Sequence, residues 1–309
     1  MPPARLAVKI ADYLHVVTAH RNDIWVLDGD LGDSYGLYDE LGQARFSNFL
    51  QMGIAEQTMV AAAAGLAATA QLPWVFSFSA FLCNRACDQI RTCVAHPALP
   101  VILVGSHAGA ATGKNGKSHA ALNDLSVMLG FGGIDVWAPA DESDVAIIVS
   151  ELIARPRPAY IRTSREPVSN LPLPSGIRRS NRRTGEVVLL TTGYASQWAA
   201  PVVEFLDTQG IALPWMHLCQ VNRLQIEALL KEQPALKHLV VIEDHSEIGG
   251  LADLARRVLA GKVTVHAKAW PPEWHGESGG IEEIRIAFGM DMLSLVHFVE
   301  SLFESYTHA

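Results

Sequence analysis

Residues 53–91 read GIAEQTMVAAAAGLAATAQLPWVFSFSAFLCNRACDQIR. Residues 56–70 are Ala-rich and read as a helix, and Gln71 and Pro73 punctuate its end. Residues 74–78 are then an apolar run of strand length, and residues 81–95 read as helix again. Helix, strand apolar on both faces and helix in immediate succession describe a parallel sheet covered on both sides. The alternation extends outward, with strands expected at 24–27, 101–105, 135–138 and 159–162 and helices at 123–129 and 141–154. Together these make one doubly wound α/β domain over residues 1–165. Pro167, Pro172, Pro174, Gly176 and clustered Arg then break the pattern, so residues 166–184 are expected to be an interdomain linker. A second α/β unit is expected over 185–309, with strands near 187–191, 211–216 and 239–243 and helices near 196–209, 223–232 and 251–260.

Length and composition agree with that division. At roughly 150 residues per domain, 309 residues allow two domains, each able to bury a core. Apolar residues at 49% and charged ones at 18% exclude disorder as the main state. A formal charge of −8 argues against a nucleic-acid platform, which carries a basic excess. The most apolar stretch, residues 59–81, is interrupted by Gly65, Gln71 and Pro73 and does not read as a membrane helix. The first dozen residues show no secretory leader. Cys83, Cys87, Cys93 and Cys219 form no CxxC pair, so a reducing cytoplasm is expected. Cys83 and Cys87, four apart, read as buried thiols, and no metal ligand is expected on this chain.

Three groups carry chemistry. Glu56 follows a Gly turn at the start of an apolar helix, where a carboxylate either complements the helix N-terminus or serves a site. Phe78 and Phe81 flank a strand-to-helix junction, as core packing or as a wall for a flat ring. The loop 105–119 is long, Gly-rich and carries His107, Lys114, Lys117 and His119, which favours a functional role. Eight arginines fall between Arg155 and Arg183; those from Arg178 to Arg183 read as a solvated face. Arg162 and Arg165 lie at the carboxyl end of a predicted strand, where a guanidinium suits a phosphate.

In this order the pieces resemble the carboxyl-terminal half of the transketolase family of thiamine diphosphate enzymes. The matching stretches are Gly53-Ile54-Ala55-Glu56-Gln57, the run from Phe78 to Arg91 and the Gly-rich element ending at His119. Pro139-Ala140-Asp141, the run from Glu243 to Gly250 and Gly276-Glu277-Ser278-Gly279 complete them. The resemblance implies a pyrimidine-binding domain followed by a C-terminal domain. It implies that Glu56 hydrogen-bonds the aminopyrimidine of thiamine diphosphate, with Phe78 and Phe81 as the aromatic wall and Asp30 nearby. It makes His107 and His119 substrate-facing histidines that assist proton transfer, and Ser34 and Arg165 holders of a sugar phosphate.

The family's diphosphate and Mg²⁺ motif, Gly-Asp-Gly followed downstream by Asn, is absent; Asp28-Gly29-Asp30 has the wrong order. The resemblance therefore implies a split transketolase whose separate amino-terminal subunit carries Mg²⁺ and the diphosphate site, with the cofactor shared at the interface. Two copies of each subunit are expected. Asn115 stands where the family has an acid that reads hydroxyl configuration, and an amide can donate as well as accept. The expected reaction is transfer of a two-carbon ketol unit from a ketose to an aldose. The alternatives are a deoxyxylulose-phosphate-synthase-like acyl transfer from pyruvate and a non-catalytic regulatory subunit of the same fold.

Overall fold

The computed structural model describes residues 3–307. Two sheets form the frame, and most of their strands arise where the sequence offers short apolar runs. In the first are β1 (Ile24–Asp28), β2 (Phe49–Gln51), β3 (Leu72–Phe78), β4 (Ile102–Ser106), β5 (Asp135–Trp137) and β6 (Ala159–Arg162). All pair in parallel, in the order β2-β1-β3-β4-β6-β5. Every residue of β3 and β4 is buried, as a central strand covered on both faces requires. The second sheet holds β7 (Arg178–Ser180), β8 (Val187–Thr192), β9 (Trp215–Leu218), β10 (His238–Ser246) and β11 (Thr264–Trp270), in the order β11-β10-β8-β9-β7. There β7 alone is antiparallel.

The structure departs from the sequence reading in four places. The expected linker contributes β7, and Val168 pairs with Ala4, so the chain between the sheets is tied to both. The expected strand 211–216 starts only at Trp215, because Pro214 has no N–H for a ladder bond and instead accepts from Leu189. The helix expected over 81–95 is not regular: Phe81–Arg85 and Ile90–Ala95 are π-helical turns around the short helix Cys87–Gln89. The helices Leu6–Thr18, Ile281–Ala287 and Met292–Thr307 and the strands β2 and β11 were not expected.

The two units pack as one body. A single apolar cluster runs from Val75, Leu103 and Val136 of the first sheet to Val188, Leu190 and Val241 of the second. At the seam, Ala138 donates to the Cys219 carbonyl (2.7 Å) and Val221 to that of Val136 (2.9 Å). Residues 281–303 are long and apolar enough by composition to cross a membrane. They are two helices separated at Phe288–Asp291, and Ile284, Leu295, Val296 and Val299 join the core of the second unit.

Candidate active site

The carboxyl ends of β3 and β4 place the central residues. Phe78 closes β3, Ser106 closes β4, and His107 follows in a left-handed conformation (φ 57°). Such a φ is unusual for a residue with a side chain and marks a constrained position. The two strands pair Phe78 with Ser106, so the rings of Phe78 and His107 meet at 4.0 Å, tilted by 32°. Phe81, one turn on, stacks on Phe78 at 5.6 Å, and His119 meets Phe78 and Phe81 edge-on at 5.8 and 5.1 Å. Four rings from three segments thus form one wall.

A cleft of about 220 Å³ opens beside this wall, lined by Arg5, Ser34, Phe78, His107, Asn115 and Arg165 among others. Of the residues expected at a site, Ser34, Phe78, His107, Asn115 and Arg165 therefore share one cavity, and Phe81 and His119 adjoin it through ring contacts. Asp30 is exposed and lines a neighbouring cleft with Asp28 and Gln51, which shares Ser34 with the first. Arg5 has no sequence signal. It is brought to Arg165 by the pairing of Ala4 with Val168, across most of the first unit. Gly113 lies against Arg165 of the same cleft with φ +60°, a conformation that favours glycine, and a Cβ there would displace the Arg165 guanidinium.

Burial sets the charge state of the wall. His107 is pushed down to about 4, first by burial and then by the positive field of Arg165 and Arg5, so its ring is neutral at pH 7. Its Nδ1 lies 2.8 Å from Ser106 Oγ, whose proton goes to the Tyr35 hydroxyl (2.9 Å). That chain assigns the ring proton to Nδ1 and leaves Nε2 an acceptor. His119 is also lowered, by burial and then by Arg85, and its Nδ1 lies 2.8 Å from Ser118 Oγ.

Glu56, fully buried as the first residue of the helix Glu56–Ala68, does not cap that helix with its side chain. Both its oxygens accept from Arg85 Nη1, at 2.8 and 2.7 Å, and the Arg85 guanidinium lies 4.3 Å above the centre of Phe81. The corner thus holds a flat, N–H-bearing group seated on Phe81 and bound to Glu56. The residues fit an aminopyrimidine, with Glu56 to hold its edge and Phe81 and Phe78 its face. Arg85, which sequence reasoning passed over, belongs to the site.

Two expectations about arginine are corrected. Arg162 is 3% exposed and does not face the cleft; it binds Asp124 through Nε (2.7 Å) and Nη2 (3.1 Å) and donates to the Asp244 carbonyl of the second unit (2.9 Å). Arg179, expected on a solvated face, is 2% exposed and bridges Asp141 (2.9 Å) and Asp144 (3.1 Å) of the first unit. Both are struts between the units. The run from Glu243 to Gly250 is structural too. Glu243 caps the helix Leu251–Val258 through the N–H groups of Leu251 and Ala252, and Asp244 accepts from Ala110 and Trp270. Gly276 and Ser278 press on the site loop: a Cβ at Gly276 would lie 2.5 Å from Ala120, and Ser278 donates to the Lys114 carbonyl (3.2 Å). Among the described residues no group of three or more His, Cys, Asp or Glu converges as a metal would need.

Residues 6–169 match the transketolase pyrimidine-binding domain. The chain is 30% identical over 293 residues to the 6-deoxy-6-sulfo-D-fructose transketolase subunit SqwH of Clostridium sp. (strain MSTE9), covering 93% of this chain and 91% of the relative. It is 29% identical over 301 residues to the 1-deoxy-D-xylulose-5-phosphate synthase of Dehalococcoides mccartyi (strain CBDB1), covering 94% of this chain and 46% of that enzyme. A solved split gene transketolase, described as an inactive beta4 tetramer, superimposes with a TM-score of 0.82 over 97% of this chain and 98% of its own, at 24% identity. The chain belongs to the transketolase family and carries its carboxyl-terminal half, a pyrimidine-binding domain followed by a C-terminal domain.

Proposed function

We propose that this chain is the carboxyl-terminal subunit of a split, thiamine diphosphate-dependent transketolase that moves a two-carbon ketol unit from a ketose with an anionic tail to an aldose. The observation that carries the reading is the cleft beside the Phe78–His107 wall: Arg5 and Arg165 line it and, among the described residues, no carboxylate does. Two guanidiniums without a counter-charge suit a tetrahedral anion. The names of two relatives, a sulfofructose transketolase subunit and a deoxyxylulose-phosphate synthase, both concern sugars with such a tail.

The cofactor, once bound, supplies the stabilised carbanion; this chain supplies the rest. Glu56 would hold the pyrimidine edge, and Phe78 and Phe81 its face. Asp30 would lie at the interface with the partner. His107, neutral and with Nε2 free to accept, would take a hydrogen bond from a substrate hydroxyl, and His119, edge-on to Phe78 and Phe81, would move a proton. Asn115, with an amide that both donates and accepts, would read the configuration of the next hydroxyl. Arg5, Arg165 and Ser34 would anchor the anion. A separate amino-terminal subunit would bring Mg²⁺ and the diphosphate site, in a heterotetramer of two copies of each chain in the cytoplasm.

The test is reconstitution with a chain that carries Gly-Asp-Gly followed by Asn. Ketol transfer should appear only with both chains present and should prefer phosphorylated or sulfonated ketoses over neutral ones. Release of CO₂ from pyruvate would replace this reading with acyl transfer. Tight, Mg²⁺-dependent cofactor binding by this chain alone would refute the split.

A further inference from the structure

The Glu56–Arg85 pair is more specific than an ion pair needs to be. A single nitrogen of Arg85 reaches both oxygens of a fully buried carboxylate, while the guanidinium plane sits 4.3 Å over Phe81. Phe81 in turn stacks on Phe78. The π-helical turn Phe81–Arg85 makes this possible, because its wider loop, closed by the Ala86 N–H on the Phe81 carbonyl, carries ring and guanidinium to one side. A flat donor group held face-on to an aromatic wall and edge-on to Glu56 makes the contacts assigned above to the aminopyrimidine. Glu56 cannot serve both at once. The Arg85 side chain is 44% exposed whereas Glu56 is 0%, so the guanidinium can leave into solvent while the carboxylate stays.

We propose that Arg85 is a positioning residue that occupies the pyrimidine's place on the Glu56–Phe81 platform, so that the cofactor enters by exchange with the guanidinium. The inference rests on the reading of Glu56 and Phe81 given under the proposed function. Arg85 keeps the buried carboxylate paired until a ligand takes its place, which avoids an uncompensated charge in the interior. The exchange makes and breaks no covalent bond. Its cost is a masked affinity: a platform closed nine times in ten lowers the apparent affinity about tenfold.

Thiamine, which carries the aminopyrimidine and no diphosphate, tests this on the purified full chain by calorimetric titration. Arg85→Ala is expected to bind thiamine about tenfold more tightly than the unmodified chain. If Arg85→Ala melts well below the unmodified chain, Arg85→Gln, which still offers Glu56 an amide donor, is held to the same criterion. A merely structural Arg85 would weaken binding on removal. Unchanged or weaker affinity, or no saturable binding by the variant at millimolar thiamine, overturns the proposal. Glu56→Gln in the Arg85→Ala background separates the two readings. If the double variant binds as tightly as Arg85→Ala, the role given to Glu56 fails. If Glu56→Gln abolishes binding but Arg85→Ala brings no gain, only the exchange fails.

Discussion

The carboxyl ends of the two sheets carry the same kinds of residue and put them to opposite use. In the first sheet, Phe78, Ser106, His107 and Arg165 open onto a cleft. In the second, Glu243, Asp244 and His245 end β10 just as densely, yet all three are buried. Glu243 caps its own following helix, Asp244 clamps Ala110 of the first unit, and His245 lies against Ser126. Topology alone therefore does not make a site. The second sheet's polar end is consumed by the interface, and Asp244 is packed so closely that a Cβ at Gly109 would lie 1.9 Å from its Oδ2. The lesson is that the second unit holds the first one's loops in place while the first one opens onto the cleft.

That division of labour can be broken experimentally. The largest effect is expected from Glu56→Gln: turnover of the reconstituted enzyme should drop about 100- to 10,000-fold, with the fold unchanged by circular dichroism. Retained turnover would remove Glu56 from the chemistry. Next comes Arg162→Ala, which strands Asp124 in the interior; denaturant unfolding should show a loss of about 3–5 kcal/mol. A variant as stable as the parent would mean the seam is not held by this strut. Arg165→Ala should leave the melting curve alone and raise KM for an anionic ketose about 10- to 150-fold, as expected for a charged hydrogen bond worth about 1.5–3 kcal/mol. Equal effects on a neutral ketose would contradict an anion-holding role.

The smallest effect is the most direct comparison of the two regions. His107 and His245 are each held at about 4 rather than the ordinary 6.5, first by burial. The unfolded chain therefore takes up these protons first, and the stability each neutral ring contributes is full above pH 6.5 and lost as pH falls from 6.5 toward 4. Removing either ring should flatten the acid limb of the stability curve by on the order of 1 kcal/mol at pH 6. Only His107→Gln should also change the kinetics. If His245→Gln changed them equally, the contrast between a working edge and a supporting edge would be lost.

The fold was legible where apolar runs are short and continuous, as in β3, β4 and β8, because strands covered on both faces need nothing else. It was less legible in β11, where Thr264 is exposed, Val265 to Ala269 are only partly buried and Lys268 mixes with His266. Glu56, Phe78, Phe81 and both histidines were visible because each lies beside a turn or a strand end. Arg5 and Arg85 were not. Arg5 acquires its place from a pairing with the far end of the domain, and Arg85 from a π-helical turn that no periodicity announces. Arg179 misled because a cluster of charges reads as solvated when its partners, Asp141 and Asp144, lie some distance back along the chain.

Arg179 also sets an order of events during synthesis. Asp141 and Asp144 leave the ribosome before the only arginine that pairs with them among the described residues, and β5 emerges before residues 219–221 can bond to it. Until then these carboxylates must stay hydrated, and the seam must stay open. The first unit is thus born with a wet face that its own sequence cannot dry, and its final consolidation waits for the second unit to emerge.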